Sequence, residues 1–168
     1  MDPALTQNRT AAAGGPGLLA AWAAFAVGLL YAVVSLYWAV GGSWLLDTVG
    51  SSLTQPGSSA GALVVLAVWG AVALKVIASV LPLLAVGARA DRFRLSRLRL
   101  IRALTWVEAA FLTFYGLILT VVGLLVQAGL IGTPATADHR ALAWHAYLWD
   151  PWFLVWGLLV TVALLRSR

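Results

Sequence analysis

Two aspartates beside aromatic residues have the chemistry to donate or accept a proton. Asp150 stands in the run Trp-Asp-Pro-Trp, and Asp47 follows the apolar run Trp-Leu-Leu. Asp150 fits either the N-cap of a helix that begins at Pro151 or an acid submerged within a longer helix. Asp47 is either a solvated loop acid or an acid that folds back to face Asp150. Two carboxyl groups in one apolar site divide their protonation, which provides one acid and one base.

One histidine adds to this chemistry, but the sequence predicts no metal site. His145 precedes Asp150 by five residues and is a candidate proton shuttle. His139 and His145 do not share a helix face well, and zinc needs more ligands than this segment offers. The chain has no cysteine, which excludes thiol redox chemistry and thiolate metal ligands. We therefore expect neither a metal nor another cofactor.

Two charged residues lie within long apolar segments, where a charge is costly and suggests a function. Lys75 is the only lysine of the chain, and Glu108 lies in the third apolar segment. Their similar depths in the predicted helices favour a structural pair that pins two antiparallel helices. The alternatives are a site in which both residues bind or protonate a ligand, and a neutral Lys75 that is merely solvated.

Aromatic residues are concentrated near one end of the predicted helices. Tryptophan and tyrosine form an interfacial belt on any bilayer, but a belt should be present at both interfaces. The opposite end has mainly Trp22 and Trp106. The excess on one side suggests a pocket whose aromatic walls stabilise a cation, although the belt stays open as an alternative. The candidate substrate-binding residues are Trp38, Trp44, Tyr37, Trp149, Trp152, Tyr147 and Lys75.

The composition requires that most of the chain lies in a membrane. Of its 168 residues, 62% are apolar and only 10% are charged, whereas a soluble domain carries about 25% charged residues. We expect a single domain, residues 17–168, after a disordered cytoplasmic segment, residues 1–16. The predicted spans are residues 17–40, 60–87, 101–131 and 141–165.

The start of the fourth span follows from its length. The run from Pro151 to Leu165 covers only ~22 Å as a helix. The hydrocarbon core of a bilayer is ~30 Å thick. The helix should therefore begin near Ala141 and pass through Asp150 and Pro151 with a kink.

The arginines predict the orientation of the helices. Six lie between Arg89 and Arg102, and two more close the chain. Such clusters beside apolar spans stay in the cytoplasm. The sequence therefore predicts an all-α, antiparallel four-helix bundle with both ends in the cytoplasm. The net charge of +5 does not indicate nucleic-acid binding, because the bases lie at helix ends and form no separate basic surface.

Two stretches carry a resemblance to known proteins. Residues 31–44, YAVVSLYWAVGGSW, and residues 144–156, WHAYLWDPWFLVW, resemble a family of small four-helix bacterial membrane proteins catalogued as a domain of unknown function. That resemblance implies the fold and a bacterial plasma membrane, and no activity. A weaker resemblance, to bacterial membrane-bound terpene cyclases, concerns only the type of parts: a compact helical bundle, acids near one mouth and many aromatic residues.

The leading functional hypothesis is an enzyme that acts on a lipid-soluble, isoprenoid-like substrate. A neutral carboxylic acid, Asp150 or Asp47, would protonate an alkene or epoxide, with His145 and Glu108 as further catalytic candidates. The tryptophans would stabilise the carbocation. The alternative is a non-enzymatic module that binds a lipid or small molecule, an accessory subunit, or a small oligomeric transporter that uses Lys75 and Glu108. Expected partners are membrane lipids, a lipid-soluble small molecule and further copies of the chain.

Overall fold

The computed structural model describes residues 15–49, 61–87 and 95–167, and this part of the chain is helical and without strands. Each of the four helices is long and apolar enough to cross a membrane. The predicted all-α, four-helix membrane fold is confirmed. The predicted disordered segment falls mostly on residues outside the described ones. The helices are α1 (Pro16–Ala39), α2 (Gly61–Gly87), α3 (Leu95–Gln127) and α4 (His139–Arg166), and a short 3-10 turn, Leu46–Thr48, follows α1.

Neighbouring helices run antiparallel, and glycines mark their closest approaches. Gly17, at the start of α1, lies against the backbone of Arg166 at the end of α4. Gly116 of α3 lies so close to Leu154 of α4 that a Cβ atom would overlap the neighbouring backbone. Small residues allow such approaches where lipid removes the hydrophobic drive for helix association. Helix α4 therefore packs against both α1 and α3, and α2 packs along α1.

The two ends of the bundle differ in composition. We call "aromatic end" the end where α1 stops at Ala39 and α4 begins at His139. The "arginine end" is the opposite one, where α1 begins at Pro16 and α4 stops at Arg166. The sequence predicts that the arginine end faces the cytoplasm. That orientation and the association of several copies of the chain stay predictions.

Helix α3 differs from the predicted span at both ends. It covers Leu95–Gln127, whereas the sequence predicted 101–131. The basic segment before residue 101 is therefore partly helical. At the other end Gly129 adopts φ +71°, a left-handed conformation that ends a helix. The amide of Leu130 then donates a hydrogen bond to the carbonyl of Leu125 at 2.9 Å, which completes a Schellman motif.

Helix α4 is continuous through Asp150. Asp138 caps its first turn and accepts a hydrogen bond from the amide of Ala141 at 3.0 Å. Pro151 has no N–H, and its ring crowds the carbonyl group of Tyr147, so a wider turn accommodates it. Asp150 is therefore an interior residue of the helix and not its N-cap. The helix consists of an α-helical start, His139–Trp144, one π-helical turn, His145–Trp149, and an α-helical body, Asp150–Arg166.

The core is formed mainly by α4, and the outer faces of the other helices are apolar. The largest fully buried side chains are Trp149 and Trp156, with Val160 and Leu164 beside them toward the arginine end. Large apolar residues such as Leu66 of α2 are exposed. An apolar surface of this extent is unstable in water and stable in lipid. The fold therefore agrees with the composition in assigning the chain to a membrane.

Candidate functional site

A hydrogen bond joins His145 to Asp150 at the aromatic end. Histidine Nδ1 lies 3.2 Å from a carboxylate oxygen of the aspartate. Two residues five apart in a regular α-helix point ~140° away from each other. The π-helical turn removes much of that angle, and the amide of Asp150 also donates to the carbonyl of His145. The histidine side chain is 40% exposed and the aspartate side chain 7%, so His145 connects a buried acid to the surface.

Aromatic residues on either side of Asp150 in α4 pack against Tyr31 of α1. The ring of Tyr31 stacks on Trp152 at 5.2 Å between centroids and on Trp149 at 5.9 Å, and Phe153 meets it edge-on at 4.9 Å. Trp149 and Trp152, which flank Asp150 in α4, also stack on each other. These rings fill space that a pocket would need. Near Asp150 the aromatic residues therefore form a packed core.

The aromatic residues of the predicted pocket lie in three different environments. Trp149 belongs to the core, and Trp152 is half-buried and donates a hydrogen bond to the carbonyl of Val27 at 3.2 Å. Only Trp38 lines a cleft, which is described below. The remaining three, Trp44, Tyr37 and Tyr147, are exposed, as residues of an interfacial belt are. The six aromatic residues therefore do not line a single pocket.

A threonine that the sequence analysis missed fixes the first loop to α4. The indole N–H of Trp149 donates to the hydroxyl group of Thr48 at 3.1 Å, and that hydroxyl donates to the carbonyl of Leu45 at 2.6 Å. Thr48 is fully buried. Nothing in the local sequence distinguishes this threonine from a solvated one, because its partner is about one hundred residues away.

Asp47, next to that threonine, does not face Asp150. Its carboxylate pairs with Arg140 at 2.9 Å, and both side chains are more than half exposed. The hypothesis of two aspartates in one apolar site is therefore corrected. Asp47 joins the first loop to the start of α4 by an exposed ion pair, which contributes little stability.

The predicted pair of Lys75 and Glu108 is also wrong. Lys75 donates a hydrogen bond to the hydroxyl group of Ser35 at 2.6 Å, and its ammonium lies 4.1 Å from the centroid of the Tyr31 ring. Both carboxylate oxygens of Glu108 are buried without a hydrogen-bond partner in the described part of the chain.

Depth explains why this pair does not form. Trp152 stacks on the ring beneath Lys75, and Gly116 faces Leu154. The level of Lys75 therefore corresponds to about residue 118 on α3. Glu108 lies ten residues further toward the arginine end, roughly 15 Å along the helix. The sequence analysis gave the two residues similar depths, because the offset between the helices is a tertiary property that the sequence does not show.

A cleft between α1 and α2 borders Lys75. Its volume is about 320 Å³. Lys75 and Ser35 are its polar residues, and apolar side chains make up the rest, with the two tryptophan rings Trp38 and Trp69 among them. We call it the α1–α2 cleft, and it is lined by Ser35, Trp38, Ala39, Leu46, Val65, Val68, Trp69, Ala71 and Lys75.

The positions of Asp150 and of the other acids limit the chemistry. Asp150 lines neither the α1–α2 cleft nor a shallow depression formed by Ala143, Trp144, Tyr147 and Leu148. Within the three described segments, no three histidine, aspartate or glutamate side chains gather closely enough to hold a metal ion. The residues that could hold a small molecule are therefore those of the cleft.

The fold and these sites define a multi-pass α-helical membrane protein with an apolar cleft and a separate, partly buried histidine–aspartate contact. A family model described as "Protein of unknown function (DUF3995)" matches residues 28–160, and the chain belongs to that family. The matched range includes both the cleft and the His145–Asp150 contact. No curated protein and no solved structure matches the chain. The predicted family is confirmed, whereas the likeness to terpene cyclases gains no support.

Proposed function

We propose that this protein binds a lipid-soluble small molecule in the α1–α2 cleft, as a non-enzymatic binding module of a bacterial plasma membrane. The observation that carries the proposal is the cleft itself, which has apolar walls and a polar base at Lys75 and Ser35. Ligand sites combine a mostly apolar lining with a few placed polar groups in the same way. The volume of about 320 Å³ lies at the lower end of the range for small-molecule pockets.

The position of the cleft supports entry of the ligand from the bilayer. Val65, Trp69 and Ala71 line the cleft and are also exposed on the apolar outer face of α2. A molecule dissolved in lipid meets this face without crossing water. The binding step then replaces lipid contacts by contacts with the two tryptophan rings and with Lys75.

The test fills the cleft with a bulky side chain. Ala71→Trp places an indole ring in the cleft, and Ala110→Trp places one on an exposed position of α3 outside the cleft. We expect native mass spectrometry of the protein released from mild detergent to detect a retained small molecule in the wild type and in Ala110→Trp. Ala71→Trp should lose it. Retention in all three proteins, or in none, contradicts the proposal.

The proposed location and orientation can be tested separately. The arginines at one end of the bundle support a cytoplasmic position for that end. A reporter that is active only outside the cytoplasm should be silent when fused after Arg168 and active when inserted within residues 51–59. The reverse pattern excludes this orientation.

A second candidate function is acid chemistry at Asp150 on an isoprenoid-like alkene or epoxide. The contact between Asp150 and His145 favours it, because a partly exposed histidine can return a proton to a buried acid. The test is conversion of a polyprenyl epoxide by the protein in nanodiscs, followed by mass spectrometry of the products. Asp150→Asn keeps the shape of the side chain, so conversion that persists in this variant excludes Asp150 as the acid.

A further inference from the structure

We infer that the ligand of the α1–α2 cleft is an amphiphile with an anionic end, a carboxylate or a phosphate monoester, and that Lys75 and Ser35 hold this end. The inference depends on the proposed binding function and narrows it from lipid-soluble molecules in general to one chemical class. It assigns a direction to the ligand, with its charged end at the base of the cleft.

The first reason is the charge of Lys75. An ammonium group is a donor only, with three N–H groups. The observed partners are the Ser35 hydroxyl group at 2.6 Å and the face of the Tyr31 ring at 4.1 Å, and neither has a negative charge. None of the four acids in the described segments, Asp47, Glu108, Asp138 and Asp150, forms an ion pair with Lys75. A cation within a membrane span is costly unless it is paired.

The second reason is the distribution of polar and apolar atoms in the cleft. Lys75 and Ser35 lie together, joined by their hydrogen bond, and the remaining lining residues extend from them as apolar walls. A molecule with one charged end and one apolar chain matches this division. The volume of about 320 Å³ admits part of one chain, whereas a phospholipid with two chains is too large for it.

The third reason is that Lys75 is held in place before any ligand binds. The Tyr31 ring beneath the ammonium is itself fixed between Trp152 and Phe153. A fixed ammonium loses little conformational entropy when an anion arrives, which increases the gain from binding. Tyr31 is in this sense a positioning residue for Lys75.

The experiment uses the full chain in detergent micelles and two probes of equal length. The probes are ω-bromoundecanoic acid and ω-bromoundecanol, whose bromine quenches tryptophan fluorescence on contact. We expect the acid to bind the wild type roughly tenfold or more tightly than the alcohol, because only the ionised carboxylate adds an opposite charge to the hydrogen bond from the Lys75 ammonium. The affinity for ω-bromoundecyl phosphate, compared with that for the acid, shows whether the cleft prefers a phosphate monoester or a carboxylate.

Three variants assign the effect to Lys75. Lys75→Met should reduce the affinity for the acid to that for the alcohol, and Lys75→Arg should retain most of it. Arg140→Gln removes one positive charge at the same end of the bundle but outside the cleft, so it should bind both probes as the wild type does. If Lys75→Met does not fold, the affinities of the wild type for the acid and the alcohol still test whether the bound end is anionic.

The outcomes separate this inference from the proposed function. Equal affinities for acid and alcohol, with no effect of Lys75→Met, overturn the anionic end and leave the binding function in place. If Arg140→Gln abolishes the preference for the acid as completely as Lys75→Met does, the assignment to Lys75 is overturned. If neither Trp69→Phe nor Trp38→Phe reduces the quenching by either probe, the probes bind outside the cleft, and both the inference and the proposed function fail.

Discussion

The surroundings of Asp150 and of Lys75 differ in whether the protein itself supplies a partner that can become oppositely charged. Asp150 has His145 at 3.2 Å, which becomes its counter-ion when protonated. Lys75 has a hydroxyl group and an aromatic ring, and no acid of the described segments pairs with it. A pair that is complete within the protein needs no ligand, whereas an ammonium beside a cleft gains stability from one. The comparison therefore favours Lys75 over Asp150 as the residue that would hold a ligand.

The two regions are also built differently. The contact of Asp150 is local, because one π-helical turn of α4 brings His145 beside it. The contacts of Lys75 cross from α2 to α1, where Ser35 and Tyr31 lie one helical turn apart. Changes in helix packing should therefore alter the cleft more than the histidine–aspartate contact.

The largest expected effect on stability is at Trp149, which contacts residues of both regions. Trp149 stacks on Tyr31, meets Trp38 edge-on and holds Thr48. We expect Trp149→Ala to lower the free energy of unfolding by about 3 kcal/mol or more, because a buried ring leaves a cavity. Unfolding in detergent, followed by circular dichroism, measures it. Trp44→Ala, at an exposed position, is the matched control and should change little; equal losses in the two variants contradict this assignment.

The next effect separates the two regions at Tyr31. Its ring supports Lys75 and also stacks on Trp149 and Trp152, the residues that flank Asp150 in α4. Tyr31→Phe should therefore bind ω-bromoundecanoic acid within about twofold of the wild type, whereas Tyr31→Leu should bind it roughly tenfold more weakly. Fluorescence titration measures both. If Tyr31→Phe loses as much affinity as Tyr31→Leu, the hydroxyl group rather than the ring supports the cleft.

A smaller effect on stability but a distinct spectroscopic one is expected at Pro151. Pro151→Ala restores a backbone N–H and allows a regular α-helix, which moves His145 away from Asp150. The free energy of unfolding should change by roughly 1 kcal/mol or less. The chain has two histidines, so nitrogen-15 NMR can follow His145 with His139 as an internal reference.

The expected change is loss of the hydrogen-bonded Nδ1 signal of His145 in Pro151→Ala. Pro82→Ala is the control, because this proline lies inside α2, away from the histidines. A His145 signal that is unchanged in Pro151→Ala shows that the proline does not maintain the π-helical turn.

The sequence was sufficient for the fold and for the path of α4. The apolar segments predicted four helices, and the shortness of the run after Pro151 predicted a helix that passes through Asp150. Both depend on one physical length, the thickness of the bilayer, which composition and residue count address directly. The end of α3 was misplaced because a left-handed Gly129 resembles any other glycine in the sequence.

The site was predicted only in part, because its contacts depend on how far each helix is shifted along its neighbours. Lys75 and Asp150 were found as charges in apolar segments, and His145 was found by its spacing. The partner of Lys75 was predicted as Glu108, but the helix offset places Ser35 and Tyr31 there instead. Serine and tyrosine in an apolar helix carry no signal of that role until the packing is known.

The smallest expected effect concerns the pair of Asp47 and Arg140, the exposed counterpart of the histidine–aspartate contact. Both side chains are more than half exposed, so solvent and salt screen their attraction. A double-mutant cycle with Asp47→Asn and Arg140→Gln should give a coupling energy of about 0.5 kcal/mol or less. The same cycle with Asp150→Asn and His145→Gln should give a larger value, because the Asp150 side chain is buried and solvent screens its contact less. Unfolding in detergent at low and high salt measures both cycles, and only the exposed pair should weaken with salt. If the two coupling energies are equal, burial does not strengthen the contact of Asp150. The contrast between Asp150, which has a partner within the protein, and Lys75, which pairs with no acid of the described segments, is then contradicted on the side of Asp150.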